Sequence, residues 1–177
     1  MSWIKRVIKL LLLLVLFWAS YFFIYGNFHK VDKDVYRSAQ LFSFNLPYYL
    51  DKYQIKSILN LRKIRKELNK DWYKDEVFIA KQKGIVRYDY PIGDREGVSM
   101  EEMTKIIEII ENAPKPLLIH CKAGADRTSL ASALYLYAVK HDKNAKKEIS
   151  IIYGHFPWLG SKTISMDRSF EKYIKQR

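Results

Sequence analysis

The stretch of sequence that decides the fold lies between residues 117 and 140. It begins Leu117-Leu118-Ile119-His120-Cys121-Lys122-Ala123-Gly124-Ala125-Asp126-Arg127-Thr128. Residues 117–120 have the apolarity and the length of a buried strand. Residues 127–140 carry apolar side chains at helical spacing and predict a helix that packs in the core. Because Gly124 frees the connecting backbone, the pattern predicts a strand, a short loop and a helix in direct succession.

This order of elements predicts a binding site for an anion. Successive backbone N–H groups of such a loop converge on one point, and the N-terminus of the next helix adds positive potential. The candidate phosphate-binding residues are Lys122, Ala123, Gly124, Ala125, Asp126 and Arg127. The same field favours the nucleophilic thiolate form of Cys121. The Arg127 guanidinium can grip two phosphate oxygens, and the Thr128 hydroxyl can donate toward the sulfur.

Cys121 is the only cysteine of the chain, so the sequence excludes an intramolecular disulfide and a CxxC redox or zinc pair. A lone cysteine is either a small buried hydrophobic residue or a reactive thiol, and the loop around it favours the reactive thiol. The formal net charge of +12 at pH 7 suits anionic partners. Since no arginine-rich arm or aromatic RNA-binding motif is present, we expect no nucleic-acid partner.

The pattern His-Cys-x5-Arg-Thr at residues 120–128 resembles the signature of the cysteine-based protein tyrosine and dual-specificity phosphatases. Residues 36–40 and 57–62 resemble the opening of the small bacterial members, so the similarity spans residues 34–175. The resemblance implies that Cys121 takes the phosphoryl group, that an acid protonates the leaving oxygen, and that water then hydrolyses the phosphocysteine. It implies no metal and no cofactor, because the loop amides and Arg127 neutralise the phosphate oxygens.

Two departures from that family's pattern bear on the substrate. Ser129 stands where relatives often have glycine, which concerns helix packing. Asp126 directly precedes the arginine, as in the myotubularin-type phosphoinositide phosphatases, and Lys122 adds charge to the loop. We therefore expect either a phosphotyrosine protein or a phosphorylated lipid or inositol as substrate. The alternatives to a phosphatase are a non-catalytic phosphate-binding module and a rhodanese-like sulfurtransferase, and the oligomeric state stays open.

The general acid of the resembling family sits on a mobile loop after the strand that precedes the cysteine strand. Residues 91–97 occupy that place here, with glycines as hinges, and Asp94 is the favoured acid. Asp126 is the second candidate, followed by Glu96 and Asp89. Without the cysteine loop, Asp94 would be interpreted as a turn residue that binds its own backbone.

Four further side chains have a structural and a functional interpretation. His120 is expected to bond to the loop and orient Cys121, rather than to be a satisfied core histidine. His155 is expected to be a turn or packing residue. Arg37 and Arg62 either hold the loop through hydrogen bonds or are solvated, and the sequence does not choose between these alternatives.

The segments around the loop predict an α/β fold with a central, largely parallel sheet flanked by helices, in a phosphatase domain over residues 27–177. Strands are predicted at residues 35–38, 55–62, 85–90 and 117–120, and helices at residues 46–52, 70–83, 99–112 and 127–140 and at the C-terminus. Ser99 and Glu102 predict a capping box, and Asn45 a helix cap. The apolar face of the helix over residues 70–83 is expected to include Phe78.

Residues 1–26 are predicted to be an N-terminal membrane anchor with a single transmembrane helix. The apolar run over residues 10–25 is broken only by Ser20, and aromatic rings crowd its far end. A cleaved signal peptide is the alternative, but Trp18 and its neighbours make a poor cleavage site. Lys5, Arg6 and Lys9 precede the run without an acid, which predicts a cytoplasmic N-terminus and a catalytic domain on the non-cytoplasmic, periplasmic side.

Overall fold

The computed structural model of the protein describes residues 2–64, 70–93 and 95–176. Its elements are α1 (Ser2–Ile24), β1 (His29–Asp32), β2 (Val35–Ser38), α2 (Leu46–Lys52), β3 (Ser57–Asn60), α3 (Lys70–Gln82), β4 (Val86–Asp89), α4 (Met100–Asn112), β5 (Leu117–His120), α5 (Arg127–Ala138) and α6 (Ile164–Lys175). Two 3-10 turns, Ala145–Glu148 and Ile151–Tyr153, lie between α5 and α6. From β2 onward, strands alternate with helices as the sequence predicts.

The five strands of the described residues form one sheet in the order β1-β2-β5-β3-β4. The central strand β5 is parallel to both neighbours, with Leu118 opposite Tyr36 of β2 and Ile58 of β3. β4 continues the parallel part, whereas β1 pairs antiparallel with β2 and was not predicted. The prediction of a largely parallel central sheet is confirmed. Since parallel strands end at the same edge of a sheet, the loop after β5 opens beside the segments that follow β2 and β3.

The side chains of the central strands alternate between two hydrophobic cores, one on each face of the sheet. Leu117 and Ile119 belong to the core shared with α4, α5 and α6, whereas Leu118 belongs to the core shared with α2 and α3. Leu59 and Ile58 of β3 divide in the same way. The strands are continuous apolar runs because helices cover both faces of the sheet.

The N-terminal cap of α4 forms as the sequence predicts, whereas that of α2 differs in its hydrogen bonds. α4 has the predicted capping box, in which Ser99 Oγ accepts from the Glu102 N–H at 3.2 Å and the Glu102 carboxylate accepts from the Ser99 N–H at 2.8 Å. Asn45 precedes α2 but makes no cap bond, because its Oδ1 accepts from the Phe42 N–H at 2.8 Å. Asn45 is thus the N-cap residue by position, as predicted, but its side chain closes the preceding turn instead of capping the helix.

The N-terminal helix α1 leaves the side chains of residues 10–17 each more than half exposed. Within the described part of the chain, no helix combines the length and the apolarity that a membrane crossing requires. The predicted transmembrane anchor over residues 1–26 therefore finds no support in the structure, and the topology deduced from it stays a prediction. Hydrogen bonds join the end of this segment to α2: Asn45 donates to the Ile24 carbonyl at 3.0 Å, and the Tyr49 hydroxyl donates to the Tyr25 carbonyl at 2.8 Å.

Candidate active site

The predicted cysteine loop joins the end of β5 to the start of α5. Cys121 is buried, with 2% of its surface exposed. Lys122 and Ala123 are exposed, whereas Gly124 and Ala125 are buried. The strand, the loop and the helix thus follow one another as the sequence predicts.

Three consecutive carbonyl groups of this loop are bound by donors that lie outside it. The Lys122 carbonyl accepts from the Gln40 N–H at 3.1 Å. The Ala123 carbonyl accepts from the Asn27 side-chain amide at 3.1 Å. The Gly124 carbonyl accepts from the Arg37 guanidinium at 2.8 Å. A trans peptide holds its N–H opposite its C=O, so the N–H groups of residues 123–125 point away from these donors. Because the carbonyls point out of the loop, the N–H groups point into it, as an anion site requires.

Arg37 makes the shortest of these three hydrogen bonds to the loop. It is fully buried at 0% exposure and donates to the Gly124 carbonyl, to Ser129 Oγ at 2.7 Å and to the Glu148 carboxylate at 2.8 Å. Its guanidinium carbon lies 3.8 Å from the centroid of the Tyr153 ring. Burial lowers the pKa of Arg37, and the charge of Glu148 opposes that shift. Of the two interpretations of Arg37, the structure supports the one in which it holds the loop.

We expect Arg37→Met to lower the free energy of unfolding by about 3 kcal/mol, because the Glu148 carboxylate then stays buried without its partner. Urea denaturation of the full chain, followed by circular dichroism, measures this loss. The control is Lys146→Met, which breaks an ion pair with Glu171 whose side chains are 55% and 44% exposed and should cost less than about 1 kcal/mol. Equal losses in the two variants would contradict a special role for the buried pair.

Arg127 is the first residue of α5 and is 7% exposed. Its Nη1 donates to the Leu61 carbonyl at 3.3 Å, and its Nε has no hydrogen-bond partner among the residues that the structure describes. The guanidinium thus keeps donors for a bound anion. Thr128 Oγ1 is also buried and lacks a partner in the described ranges, so the predicted hydrogen bond to the Cys121 sulfur is not formed in this structure.

His120, the last residue of β5, faces a buried carboxylate. Its Nε2 lies 3.2 Å from Glu76 Oε2 without hydrogen-bond geometry, and its Nδ1 lies 3.4 Å from the Cys121 carbonyl oxygen. Glu76 also accepts from Gln40 at 2.7 Å and from Arg87 at 3.0 Å. Burial alone would raise the pKa of Glu76, but His120, Arg87 and Gln40 outweigh it and lower the pKa to about 2. The predicted contact of His120 with the loop is present, and the Glu76 carboxylate lies close to the other ring nitrogen.

Glu76 is a site residue that the sequence pattern did not lead us to expect. Phe78 was expected on the buried face of α3, but Phe78 is 63% exposed and Glu76 is 2% exposed. Glu76 lies four residues after Trp72 and four before Ala80, and both are buried. The spacing i, i+4, i+8 was the available signal. A glutamate on the buried stripe of a helix indicates a charged partner in the core.

The favoured general acid, Asp94, lies outside the described residues, so its position stays a prediction. Glu96, in the same loop, is exposed. The carboxylate of Asp89 accepts hydrogen bonds from Asn60 and from Arg87, both at 2.9 Å. Asp89 is therefore engaged at the end of the sheet and is the weakest of these candidates.

Asp126, the second candidate acid, is engaged by a histidine. His155 Nδ1 lies 2.7 Å from Asp126 Oδ1, and His155 Nε2 lies 2.8 Å from Asp167 Oδ2. His155 is 1% exposed. His155 was expected to be a turn or packing residue rather than a catalytic one, and it is indeed buried. The expectation did not include its two carboxylate contacts, one of which is with the cysteine loop.

Arg62 lies beside this site rather than free in solvent. Its guanidinium carbon lies 4.0 Å from the centroid of the Trp72 ring, and its Nη1 donates to Gln40 Oε1 at 3.3 Å. Gln40 in turn binds the loop through its backbone N–H. Arg62 therefore supports the loop through Gln40, and it does so less directly than Arg37.

Comparisons with known proteins identify the family and the fold of the chain. The family model described as Tc-R-P, polymorphic toxin system, DSP-PTPase phosphatase, matches residues 42–141. No curated protein sequence matches the chain. The solved structures show the same fold. They include Tk-PTP in the active form, with a TM-score of 0.66 and 16% identity over 85% of this chain and 98% of that chain.

Two further solved structures come from named organisms. The core catalytic domain of the PP-IP phosphatase SIW14 from S. cerevisiae gives a TM-score of 0.65 and 21% identity over 85% of this chain and 89% of that chain. P. aeruginosa TpbA gives a TM-score of 0.61 and 23% identity over 86% of this chain and 85% of that chain. At these identities the structures establish a common fold. The family model shows, in addition, that the sequence of residues 42–141 matches a known family.

The family match runs from α2 through α5 and covers more than half of the 177 residues. Cys121 and Arg127, at the two ends of the loop, fall within it. The matched segment therefore contains the strand, the cysteine loop and the helix of the candidate anion site. The chain belongs to the family of DSP-PTPase phosphatases of polymorphic toxin systems.

Proposed function

We propose that this phosphatase hydrolyses phosphomonoesters through a phosphocysteine intermediate at Cys121. The observation that carries the proposal is the set of three loop carbonyls held outward by Asn27, Arg37 and Gln40. This arrangement turns the following N–H groups toward the centre of the loop, where they can stabilise charge on phosphate oxygens. Arg127 stands at the end of this loop with a donor, Nε, that has no hydrogen-bond partner among the described residues.

The reaction has two displacements at phosphorus. In the first, the Cys121 thiolate attacks phosphorus, the bond to the leaving oxygen breaks, and the acid gives its proton to that oxygen. In the second, the same residue, now a base, takes a proton from water as the water oxygen attacks phosphorus. The S–P bond then breaks and releases inorganic phosphate and the thiolate. In both steps the loop N–H groups and Arg127 hold the non-bridging oxygens.

Asp94 is the proposed acid and base of these steps. Its rival Asp126 uses Oδ1 to contact His155 at 2.7 Å, so that oxygen is engaged as an acceptor rather than presented to a leaving group. Asp94 belongs to residues 91–97, whose glycines allow a loop to close over the site. Closure of this kind is the usual way to protect a proton that an aspartate must donate near neutral pH.

We further propose a substrate that carries more than one phosphate group, such as an inositol phosphate or its lipid form. Lys122 is exposed on the loop itself. A groove of about 590 Å³ is lined by Arg95, Lys162 and Arg168, and it also includes Pro157, two residues from His155. The groove is connected to the cysteine loop through Pro157 and His155, which contacts Asp126. A lysine on the loop and a cationic groove connected to it favour a polyanion over a single phosphotyrosine.

The relatives' names point to both substrate classes. The SIW14 structure is that of a PP-IP phosphatase, and one TpbA structure is a complex with pTyr. A panel that contains an aryl phosphate, a phosphotyrosine peptide, inositol phosphates and phosphoinositide vesicles separates these classes by kcat/KM. We expect the inositol compounds to exceed the peptide by at least about tenfold, which corresponds to one additional ion pair of about 1.4 kcal/mol.

Each outcome of that panel has a clear meaning. Preference for the peptide would contradict the polyanion proposal and leave the phosphatase intact. Preference for vesicles over soluble inositol phosphates would identify the lipid form. If no compound is turned over beyond the rate of a variant without the Cys121 thiol, the phosphatase proposal fails. Sulfur transfer from thiosulfate to Cys121 would then favour the sulfurtransferase.

Gly124 tests whether the loop geometry itself is needed. Its φ is +70°, and a Cβ there would lie 2.6 Å from the Ala39 nitrogen and 2.7 Å from the Ser38 carbonyl carbon and oxygen. We expect Gly124→Ala to lower kcat/KM for an aryl phosphate about 10²-fold, because the loop must shift away from these backbone atoms. Steady-state kinetics on the full chain measure the loss.

The matched control for this substitution is Gly84→Ala. Gly84 has a φ of +64°, but no atom of the residues that the structure describes lies within 4 Å of a Cβ at this position. The control therefore shares the left-handed backbone strain without the clash. Activity of Gly124→Ala within twofold or so of the Gly84→Ala activity would contradict the close approach of loop and β2 as a requirement for catalysis.

A further inference from the structure

We propose that His155 is a positioning residue: as an imidazolium between Asp126 and Asp167, it clamps the end of the cysteine loop, and loss of its proton lowers phosphatase activity. This inference rests on the proposed function. It concerns a part of the chain beyond residues 42–141, the segment that the family model matches. It also explains the buried histidine, for which the two displacements at phosphorus have no use.

The contacts of His155 favour the doubly protonated ring. Asp126 Oδ1 lies 2.7 Å from Nδ1, and Asp167 Oδ2 lies 2.8 Å from Nε2. An ionised carboxylate only accepts hydrogen bonds, whereas a neutral imidazole has one N–H and one bare nitrogen. A neutral ring would therefore place a lone pair against one of the two carboxylates. Both contacts are satisfied together when both ring nitrogens carry a proton.

The clamp acts on the residue that leads into Arg127. Asp126 is the N-cap of α5, yet its side chain makes no cap hydrogen bond, although aspartate commonly caps helices in this way. Its carboxylate instead contacts His155, and its backbone carbonyl accepts from the Leu130 N–H at 3.0 Å. Asp126 is thus fixed on both sides, and the direction in which Arg127 leaves the loop is fixed with it.

His155 is itself anchored to two other parts of the protein. Its backbone N–H donates to the Ser150 carbonyl at 3.2 Å. Its far nitrogen contacts Asp167, which lies in the first turn of α6. The cysteine loop is therefore tied through one buried ring to the C-terminal helix. With 1% of His155 exposed, water does not easily replace either contact.

Among the described residues, the charges that face His155 are Asp126 from the loop and Asp167 from α6. Burial alone would lower the pKa of His155, but the hydrogen bonds and charges of these two carboxylates outweigh it and raise the pKa above 6.5. A raised folded-state pKa means that the stabilising contribution is fully present below the unfolded value of about 6.5 and is lost as pH rises through the folded value. The clamp therefore weakens on the alkaline side.

Asp167→Asn removes the charge at this position but keeps the shape of the side chain, so it tests whether His155 must be protonated. With an asparagine at this position, a neutral His155 can donate from Nδ1 to Asp126 and accept from the new amide at Nε2. We expect kcat/KM of the wild-type full chain for an aryl phosphate to decline above the pKa of His155. In Asp167→Asn this decline should shrink to less than about a third of its wild-type amplitude. His141→Gln, at an exposed histidine, is the control and should keep the wild-type profile.

A second measurement does not depend on turnover. The chain has four histidines, and long-range ¹H–¹⁵N spectra distinguish doubly protonated rings from neutral ones. We expect both nitrogens of His155 to be protonated at a pH where His29, whose pKa is lowered by burial and by Arg37, is neutral. The backbone amides of Asp126 and Arg127 should change their chemical shifts along the same titration curve as His155.

The outcomes separate this inference from the proposed function. A neutral His155 ring at pH 7, or superimposable profiles of wild type and Asp167→Asn, would overturn the clamp. If no phosphomonoester is hydrolysed, the proposed function fails and the spectra decide alone. In that case, cotitration of the Asp126 and Arg127 amides with His155 supports the clamp, and amides that ignore the His155 titration refute it.

Discussion

Replacing Cys121 by serine is expected to lower kcat/KM for an aryl phosphate by at least about 10⁴-fold. The thiolate is the nucleophile of the proposed first displacement, and a serine hydroxyl at the same place keeps its proton. The side chain is 2% exposed and the two residues differ only in the sulfur or oxygen atom, so we expect the fold to be retained. Initial rates and thermal melts of both proteins measure the two effects.

Binding supplies the control for Cys121→Ser. The loop N–H groups and Arg127 remain in the variant, so calorimetry with tungstate should give an affinity within about tenfold of the wild-type value. Rapid acid quenching of the wild-type reaction, followed by mass spectrometry, should show a phosphoryl adduct on Cys121. Turnover by the variant close to the wild-type rate would mean that another residue is the nucleophile.

The elements next to Cys121 could be predicted from the sequence because their signals are local. The apolar strand, Gly124 and the helix after Arg127 follow one another along the chain, and each has its own pattern. The parallel sheet followed from the alternation of strands and helices. β1 could not be predicted in this way, since a short polar strand forms only because β2 offers a free edge.

The support of the loop could not be predicted, because it depends on contacts between distant parts of the chain. Arg37 and Asn27 reach Gly124 and Ala123 across 87 and 96 residues. The sequence left Arg37 with two interpretations, since an arginine in a short strand can be solvated or buried. Only the fold shows that Arg37 has 0% exposure. A pattern of residue types thus locates the loop but not the donors that hold its carbonyls outward.

Buried charges were the part of the site that the sequence did not reveal. Glu76 was not singled out, and His155 was expected to be a turn or packing residue, because charged and polar residues are mostly exposed. Each is buried because it has partners on other elements, His120 and Arg87 for Glu76, and two aspartates for His155. A buried charge that is paired in this way is costly to disturb. Both residues therefore bear on the geometry of the loop rather than on its stability alone.

Arg127→Lys is expected to lower kcat/KM about 10³-fold, because a lysine ammonium cannot hold two phosphate oxygens in the plane that the guanidinium fits. Arg127 is 7% exposed, and its Nη1 donates to the Leu61 carbonyl. A lysine at this position would use one of its three N–H donors for the same carbonyl and would keep fewer for phosphate. Steady-state kinetics should show the loss mainly in kcat, since charge on the oxygens grows in the transition state.

The comparison is Arg62→Lys, which keeps the charge beside Trp72 and should lower kcat/KM by less than about tenfold. A loss below tenfold in Arg127→Lys would mean that the loop N–H groups alone stabilise the transferred phosphoryl group, and that the bidentate grip is dispensable.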